Sequence, residues 1–335
     1  MPVVNRVYTL AARPKGFPKE SDFALTEQAM PEPGDGEFQI HTTYLSVDPY
    51  MRGRMNDVKS YAQPFQIGEA IYGGSIGVVT KSNHPDFSEG DSVAGGWGWM
   101  DYSVSDGTGI NKLNPELAPV TTALGILGMP GMTAYFGFLD ICEPTEGDQV
   151  FVSGAAGAVG EIVGQIAKIK GCTVIGSAGD DEKVARLVDE CGYDDAFNYK
   201  TETDYPAALR SRFPKGIDCY FDNVGGAMTD AVLMNLAGFS RISICGAISQ
   251  YNLEKPEMGP RLLTMLLVTQ SRAEGFIVSR FADRFPEGAL QMGQWIQEGK
   301  LKYREDIMDG LENTPEAFIR MLNGKNKGKQ LVKVS

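Results

Sequence analysis

Hydrophobic and polar positions change rhythm once along the chain. Up to about residue 110 the pattern is one of short β-like runs, such as Glu37–Leu45 and Gly74–Thr80, broken by turn clusters of the Pro31-Glu-Pro-Gly-Asp-Gly36 kind. Beyond Gly147 strands and helices alternate. Gln149–Ser153 reads as a short apolar strand, and the segment behind it puts Val159, Ile162, Val163, Ile166 and Ile169 on one helical stripe. Cys172–Ser177 predicts a second strand. Val184, Leu187, Val188 and Cys191 then recur at helical spacing, with Asp180 as N-cap and Gly192 as stop. Ala196–Tyr199, Ile217–Phe221 and Arg241–Cys245 supply further strands. Such alternation builds a parallel sheet through right-handed crossovers, with helices on both faces. The expected fold class is α/β, a doubly wound parallel sheet beside a smaller, mostly β domain.

Length and composition sharpen this picture. With 335 residues the chain has room for two domains, and 42% hydrophobic residues are enough for real cores. Glycine is over-represented, at 40 residues, which calls for tight turns and close backbone approaches. A formal net charge of −12 repels phosphate backbones and anionic membranes, so a nucleic-acid or membrane partner is not expected. Five scattered cysteines without a C-x-x-C pair read as reduced thiols in a cytoplasmic protein. Nothing near the amino terminus reads as an export signal. The uncharged run Leu117–Leu139 is long enough to span a bilayer, but Pro130-Gly131 would break a spanning helix near its middle, so a buried segment is expected.

The sharpest chemical signal is Ser153–Gly160, where Gly154, Gly157 and Gly160 recur at three-residue spacing between the first strand and first helix of the alternating region. In that setting small residues let the backbone approach a pyrophosphate and present helix N–H groups to it. The second strand ends in Gly176-Ser-Ala-Gly179, with Lys183 just beyond. Small residues there leave room for a 2′-phosphate held by Lys183; the alternative is that Asp180 or Asp181 binds the ribose hydroxyls. Other chemistry is excluded by elimination. His41 and His84 lie in a strand and a turn, and no Ser/His/Asp set is available. A catalytic zinc needs three protein ligands, and the amino-terminal domain contains no cysteine, so a metal is not expected.

At this point the residues resemble a known family. Tyr44–Met55, Gly128–Tyr135, the glycine loop, Phe221–Gly226, Ile244–Ser249 and Tyr251-Asn252 are similar to the zinc-independent medium-chain dehydrogenases/reductases, and most to the branch of 2-alkenal, prostaglandin and bacterial curcumin reductases. Zinc-dependent members carry a cysteine near Ser46 and Gly-His-Glu near Gly68-Glu69-Ala70; both are missing here. The resemblance implies a GroES-like domain over 1–124, completed by 300–335, and a Rossmann NADPH-binding domain over 125–299.

It also implies roles. Lys183 and Tyr199 match the holders of the 2′-phosphate, alongside the loop residues Gly154, Gly157, Ala158, Val159 and Gly160. Asn326 matches a residue near the pyrophosphate; Met129, Thr133, Asn223, Cys245, Phe276 and Val278 match positions around the nicotinamide. Phe276 and Val278 read equally as strand residues, Asn223 as a turn residue and Cys245 as a buried hydrophobe. Tyr251 is implied as proton donor or ribose anchor and Tyr61 as a second donor, while Tyr50 and Arg52 shape the cleft. The implied activity is NADPH-dependent reduction of a carbon–carbon double bond conjugated to a ketone or aldehyde. Quinone reduction, or NADPH binding without turnover, are the alternatives. A homodimer through Gly275–Ser279 is implied as well.

Overall fold

The structure is a computed structural model and describes residues 4–335. It divides into two units: one formed by the chain up to Leu124 together with Glu305–Ser335, the other by Gly125–Arg304.

The first unit is mostly antiparallel sheet. Strands β1 (Val4–Leu10) and β2 (Phe23–Ala29) pair with each other. β3 (Phe38–Ser46) is followed by helix α1 (Tyr50–Arg54), β4 (Tyr72–Ser82), β5 (Ser92–Gly98), β6 (Tyr102–Ser105) and β7 (Asn111–Lys112). β4 lies along one edge of β3, and the other edge is shared, its first half pairing with β6. The two histidines pack here rather than forming a reactive group: His41 stacks on Tyr102 at 4.5 Å, and His84 meets Phe38 and Phe87 edge-on.

The second unit opens with α2 (Met129–Leu139), which carries Pro130 in its first turn, where a missing N–H costs nothing. This is where the uncharged run falls, and no helix of the described residues is long and apolar enough to cross a membrane. Then β8 (Gln149–Val152), α3 (Gly160–Ile169), β9 (Thr173–Ala178), α4 (Asp181–Asp189), β10 (Asp195–Asn198), α5 (Tyr205–Arg212), β11 (Ile217–Asp222), α6 (Gly226–Leu233), β12 (Leu236–Ile244), α7 (Thr264–Val268), β13 (Arg272–Gly275) and α8 (Phe285–Gln297) follow in turn. The strands pair in parallel in the order β10-β9-β8-β11-β12-β13. Side chains alternate between two cores, one per face of the sheet. Val150, Val152, Val174, Cys219 and Phe221 point to the α2/α3 side, while Phe151, Ile175 and Tyr220 point to the α5/α6 side. Where both faces are covered, as at β8, the strand is apolar at nearly every position, whereas the edge strands β10 and β13 carry polar and charged residues. The direction of strand succession reverses between β8 and β11, and the crevice beyond that switch point is where such sheets bind ligands.

The chain then returns to the first unit through β14 (Glu305–Asp309), α9 (Thr314–Leu322) and β15 (Lys329–Lys333). β15 takes the second half of β3's shared edge, with Leu331 opposite Ser46. The return begins at Glu305, not at residue 300. Residues before it stay with the second unit because Gln165 of α3 clamps Lys302, accepting its N–H at 2.7 Å and donating to its carbonyl at 2.9 Å, and because Leu301 is buried in the α2/α3 core. A second difference concerns Gly275–Ser279. β13 ends at Gly275, Ile277 is still extended, and Val278 already starts a 3-10 turn, so the strand runs only through the front of that segment.

Candidate active site

The turn from β8 into α3 is built around backbone crowding. Gly154 has φ +59°, and its carbonyl accepts the N–H of Gly157 at 3.1 Å. A Cβ on Gly160 would lie 2.5 Å from that same carbonyl and 2.8 Å from the Ala155 Cα. Only glycine lets the first turn of α3 sit this close. Val159 is the residue before the helix, so Ala158 and Val159 form the rim of the turn and are half-buried. At the head of α3 the Glu161 N–H bonds the Gly157 carbonyl at 3.0 Å, and those of Ile162 and Val163 bond the Val159 carbonyl at 3.1 and 3.0 Å. The turn follows directly on the carboxyl end of β8.

At the end of β9 the acidic residues are already engaged. Asp180 caps α4, accepting the Lys183 N–H at 2.8 Å, and its carboxylate lies 3.8 Å from Lys183 Nζ. Asp181 accepts from Asn198 Nδ2 at 2.7 Å. The Tyr199 ring stands against Gly179, where a Cβ would be 3.0 Å from the phenol oxygen. Burial, then the neighbouring Tyr205 and Asp180, raise the Tyr199 phenol above its ordinary range, so it stays protonated at neutral pH. Lys183 and Tyr199 thus both flank the small-residue end of β9.

Across the switch point, β11 and β12 end in a second group. Asn223 donates from its amide to the Ser153 carbonyl at 2.8 Å, and from its backbone N–H to the Ser153 hydroxyl at 3.1 Å. Cys245 follows β12, and its thiol is pushed up to about 12 by burial and then by Asp222, so it is a neutral side chain. The turn after it brings the Tyr251 hydroxyl within 3.2 Å of the Ala247 N–H, which it accepts. Burial is the main cause holding the Tyr251 phenol above its ordinary value. In α2 the Thr133 hydroxyl donates back to the Met129 carbonyl at 2.7 Å, a local bond that fixes its rotamer.

Phe276 stands apart from this group. Its ring is buried against Gly137, where a Cβ would collide at 2.3 Å, and it meets Phe221 edge-on. The side chain is a core residue, leaving only its backbone to line a crevice; Val278 is half-buried at the start of the following turn and packs on the same core. Two more candidates lie in the first unit. Tyr61 is 61% exposed in the irregular segment between α1 and β4. Asn326 donates to the Gly328 carbonyl at 2.7 Å and shapes the turn into β15. Tyr50, with its phenol raised by burial and by Asp48, and the buried Arg52, which donates to the Pro14 and Gly16 carbonyls, brace that unit.

One residue was not singled out from the sequence. Asp222, at the carboxyl end of β11, is buried and accepts bonds from the turn behind it. Its sequence signal, an acidic residue closing an apolar strand ahead of Gly225-Gly226, was present but ambiguous.

The first unit does not suit a zinc ion. Lys329 Nζ sits 2.6 Å from Ser46 Oγ and 2.7 Å from Asp48 Oδ1, so an ammonium group already occupies the neighbourhood of Ser46. Among the described residues no cluster of three or more His, Cys, Asp or Glu could hold a metal ion.

With this geometry in place, the class of protein is defined: residues 6–113 match the family model described as the N-terminal domain of oxidoreductase, and residues 158–295 match that described as zinc-binding dehydrogenase. The chain belongs to the medium-chain dehydrogenase/reductase family. Within it, the chain is 52% identical to a Bacillus subtilis (strain 168) protein named provisionally as an NADP-dependent oxidoreductase, covering 97% of this chain and 96% of that one. It is 45% identical to the NADPH-dependent curcumin reductase of Escherichia coli (strain K12), over 99% and 97% of the two chains. The crystal structure of CurA from Vibrio vulnificus in complex with NADPH is similar with a TM-score of 0.95 at 45% identity, covering 98% of this chain and 99% of that one.

Proposed function

We propose that this protein is an NADPH-dependent reductase of carbon–carbon double bonds conjugated to a ketone or aldehyde. The observation that carries the cofactor is the junction of β9 and α4. Asp180 caps α4 and Asp181 accepts from Asn198, so one oxygen of each carboxylate is already turned to the protein, while Lys183 and Tyr199 place a cation and a neutral donor at the same strand end. That pairing suits a 2′-phosphate, with lysine as a point charge. The crowded glycine turn would take the pyrophosphate at the head of α3. Gly154, Gly157, Ala158, Val159 and Gly160 form that turn, and Asn326 is assigned to the pyrophosphate by the family resemblance. Met129, Thr133, Asn223, Cys245, Val278 and the Phe276 backbone would surround the nicotinamide. Bound there, NADPH supplies a hydride to the β-carbon of the substrate.

The protein's own task is then to meet the negative charge that develops on the substrate carbonyl oxygen as an enolate. The Tyr251 hydroxyl accepts from Ala247, which leaves its own proton for donation, either to that oxygen or to the ribose that holds the cofactor. A donor aimed at such an oxygen is worth about 2.7 to 4 kcal/mol. Tyr61 is assigned as a second donor. Relatives named for curcumin and 2-alkenal reduction, each 45% identical over nearly the whole chain, support the same substrate class.

A panel of enones, enals, quinones and saturated alcohols, assayed by NADPH consumption, tests this reading. Turnover of enones or enals is expected; consumption with quinones alone, or tight NADPH binding without consumption by any acceptor, overturns it.

The chain is further proposed to act in the cytoplasm as a homodimer. Among the described residues β13 pairs on one side only, the backbone is extended at Ile277, and Leu263, Leu267 and Val268 nearby are more than two-thirds exposed. An open edge strand beside an apolar face favours pairing with a second copy. Sedimentation at micromolar concentration should return twice the chain mass, and a monomer would refute the assembly.

A further inference from the structure

We propose that Asp222 is the positioning residue for the nicotinamide half of the crevice, an inference that rests on the NADPH reading above. With the 2′-phosphate assigned to the end of β9, the half of the crevice beyond β11 and β12 is left for the nicotinamide. Asp222 ties together four of the segments at this end of the sheet. Its Oδ1 accepts the N–H groups of Val224 at 2.9 Å and Gly225 at 2.8 Å, and the hydroxyls of Tyr220 at 2.8 Å and Ser153 at 3.2 Å. Its Oδ2 accepts from Thr229 Oγ1 of α6 at 2.6 Å. Its backbone carbonyl accepts the N–H groups of Cys245 at 2.9 Å and Gly246 at 3.0 Å.

One residue therefore joins the end of β8, the turn after β11, the first turns of α6 and the segment after β12. The carboxylate is 2% exposed and makes no ion pair among the described residues, so hydroxyl and N–H dipoles alone compensate its burial. Such a group is costly wherever it sits, and it sits where strand succession reverses. The turn it holds needs left-handed backbone that glycine alone adopts without cost: Gly225 and Gly226 have φ +72° and +59°. Asn223, the first residue of that turn, is fixed from the other side by Ser153, whose hydroxyl donates to Asp222 while accepting the Asn223 N–H. The Tyr251 hydroxyl is linked through Ala247 to the Cys245-Gly246 segment that hangs from the Asp222 carbonyl. Asp222 touches no reacting atom; it acts by holding Asn223, Cys245 and the base of the Tyr251 turn in register.

The test is Asp222→Asn, which keeps size and removes the charge while turning an NH2 group toward donors. Dissociation constants for NADPH and for 2′-phospho-ADP-ribose, which lacks the nicotinamide, are measured by titration calorimetry. The variant is expected to bind NADPH about tenfold more weakly, the loss of roughly one charge-assisted bond, with 2′-phospho-ADP-ribose changed less than twofold. Equal weakening of both ligands, or no weakening of NADPH, overturns the proposal. If Asp222→Asn does not fold, Thr229→Val removes a single donor to Oδ2 and is read by the same ratio. A wild-type protein that binds neither ligand sinks the NADPH reading itself, a result distinct from a wild type that binds both and a variant whose ratio does not move.

Discussion

Lys329 Nζ donates to Asp48 Oδ1 at 2.7 Å, with both side chains under a tenth exposed, and so bonds β15 to the segment that follows β3. The same ammonium donates to Ser46 Oγ at 2.6 Å and to the Val47 carbonyl at 3.2 Å. Removing one member of a buried pair strands the other, at a cost of about 3 to 5 kcal/mol. Lys329→Met should therefore lower unfolding free energy by that amount in urea titration, and adding Asp48→Leu should recover most of it. A loss under about 1 kcal/mol for the single variant would show the pair to be solvated.

Lys183→Ala should separate the two nicotinamide cofactors. A hydrogen bond to a charged group is worth about 1.5 to 3 kcal/mol, so the Michaelis constant for NADPH should rise roughly 10- to 150-fold while that for NADH stays within about twofold. Parallel steady-state kinetics with both cofactors check this, and an equal effect on the two would remove Lys183 from the phosphate.

Tyr251→Phe should lower the turnover number by about 10²-fold or more if the hydroxyl meets the developing enolate, and leave it little changed if the ribose hydroxyl does so. The pH dependence is a separate check. Burial raises this phenol above its ordinary value of 10, so it remains a proton donor throughout neutral and mildly alkaline solution. Turnover should show no Tyr251-dependent fall between pH 7 and about 10. An alkaline limb within that range, absent in Tyr251→Phe, would contradict the placement.

Gly160→Ala should be poorly tolerated, because its Cβ would stand 2.5 Å from the Gly154 carbonyl with backbone on all sides. Overpacking of this kind costs about 1 to 3 kcal/mol. Thermal unfolding should reveal that loss and calorimetry a weaker NADPH affinity, whereas Gly238→Ala, with open space around the added carbon, serves as the control.

Much of the second unit was legible because its signals are local. The stripe of Ile162, Val163 and Ile166, the Asp180 cap and the glycine spacing each lie within a few residues, and each fixes one element or turn. Side-chain direction was not legible. Phe276 follows a strand, and whether its ring enters the crevice or the core depends on Gly137, whose missing side chain opens the space it fills. Asp222 draws most of its donors from within seven positions, but which of them turn toward the carboxylate was not readable, and Ser153, 69 positions away, reaches it only once β8 and β11 lie side by side. Gln165 escaped notice for the same reason: its partner, Lys302, is 137 positions away, and that clamp moved the unit boundary to Glu305. Tyr251 and Tyr61 had no local signal, and only the family resemblance drew them out.

The placement of β15 against β3 bears on how the chain is made. Translation delivers the first unit's early strands long before the strand that completes the edge of β3, so that edge stays open while Gly125–Arg304 emerges whole and contiguous. Domains generally fold as units as they leave the ribosome. For this topology the inner unit, synthesised second, is the first able to reach its native state, and the one around it must wait for β15.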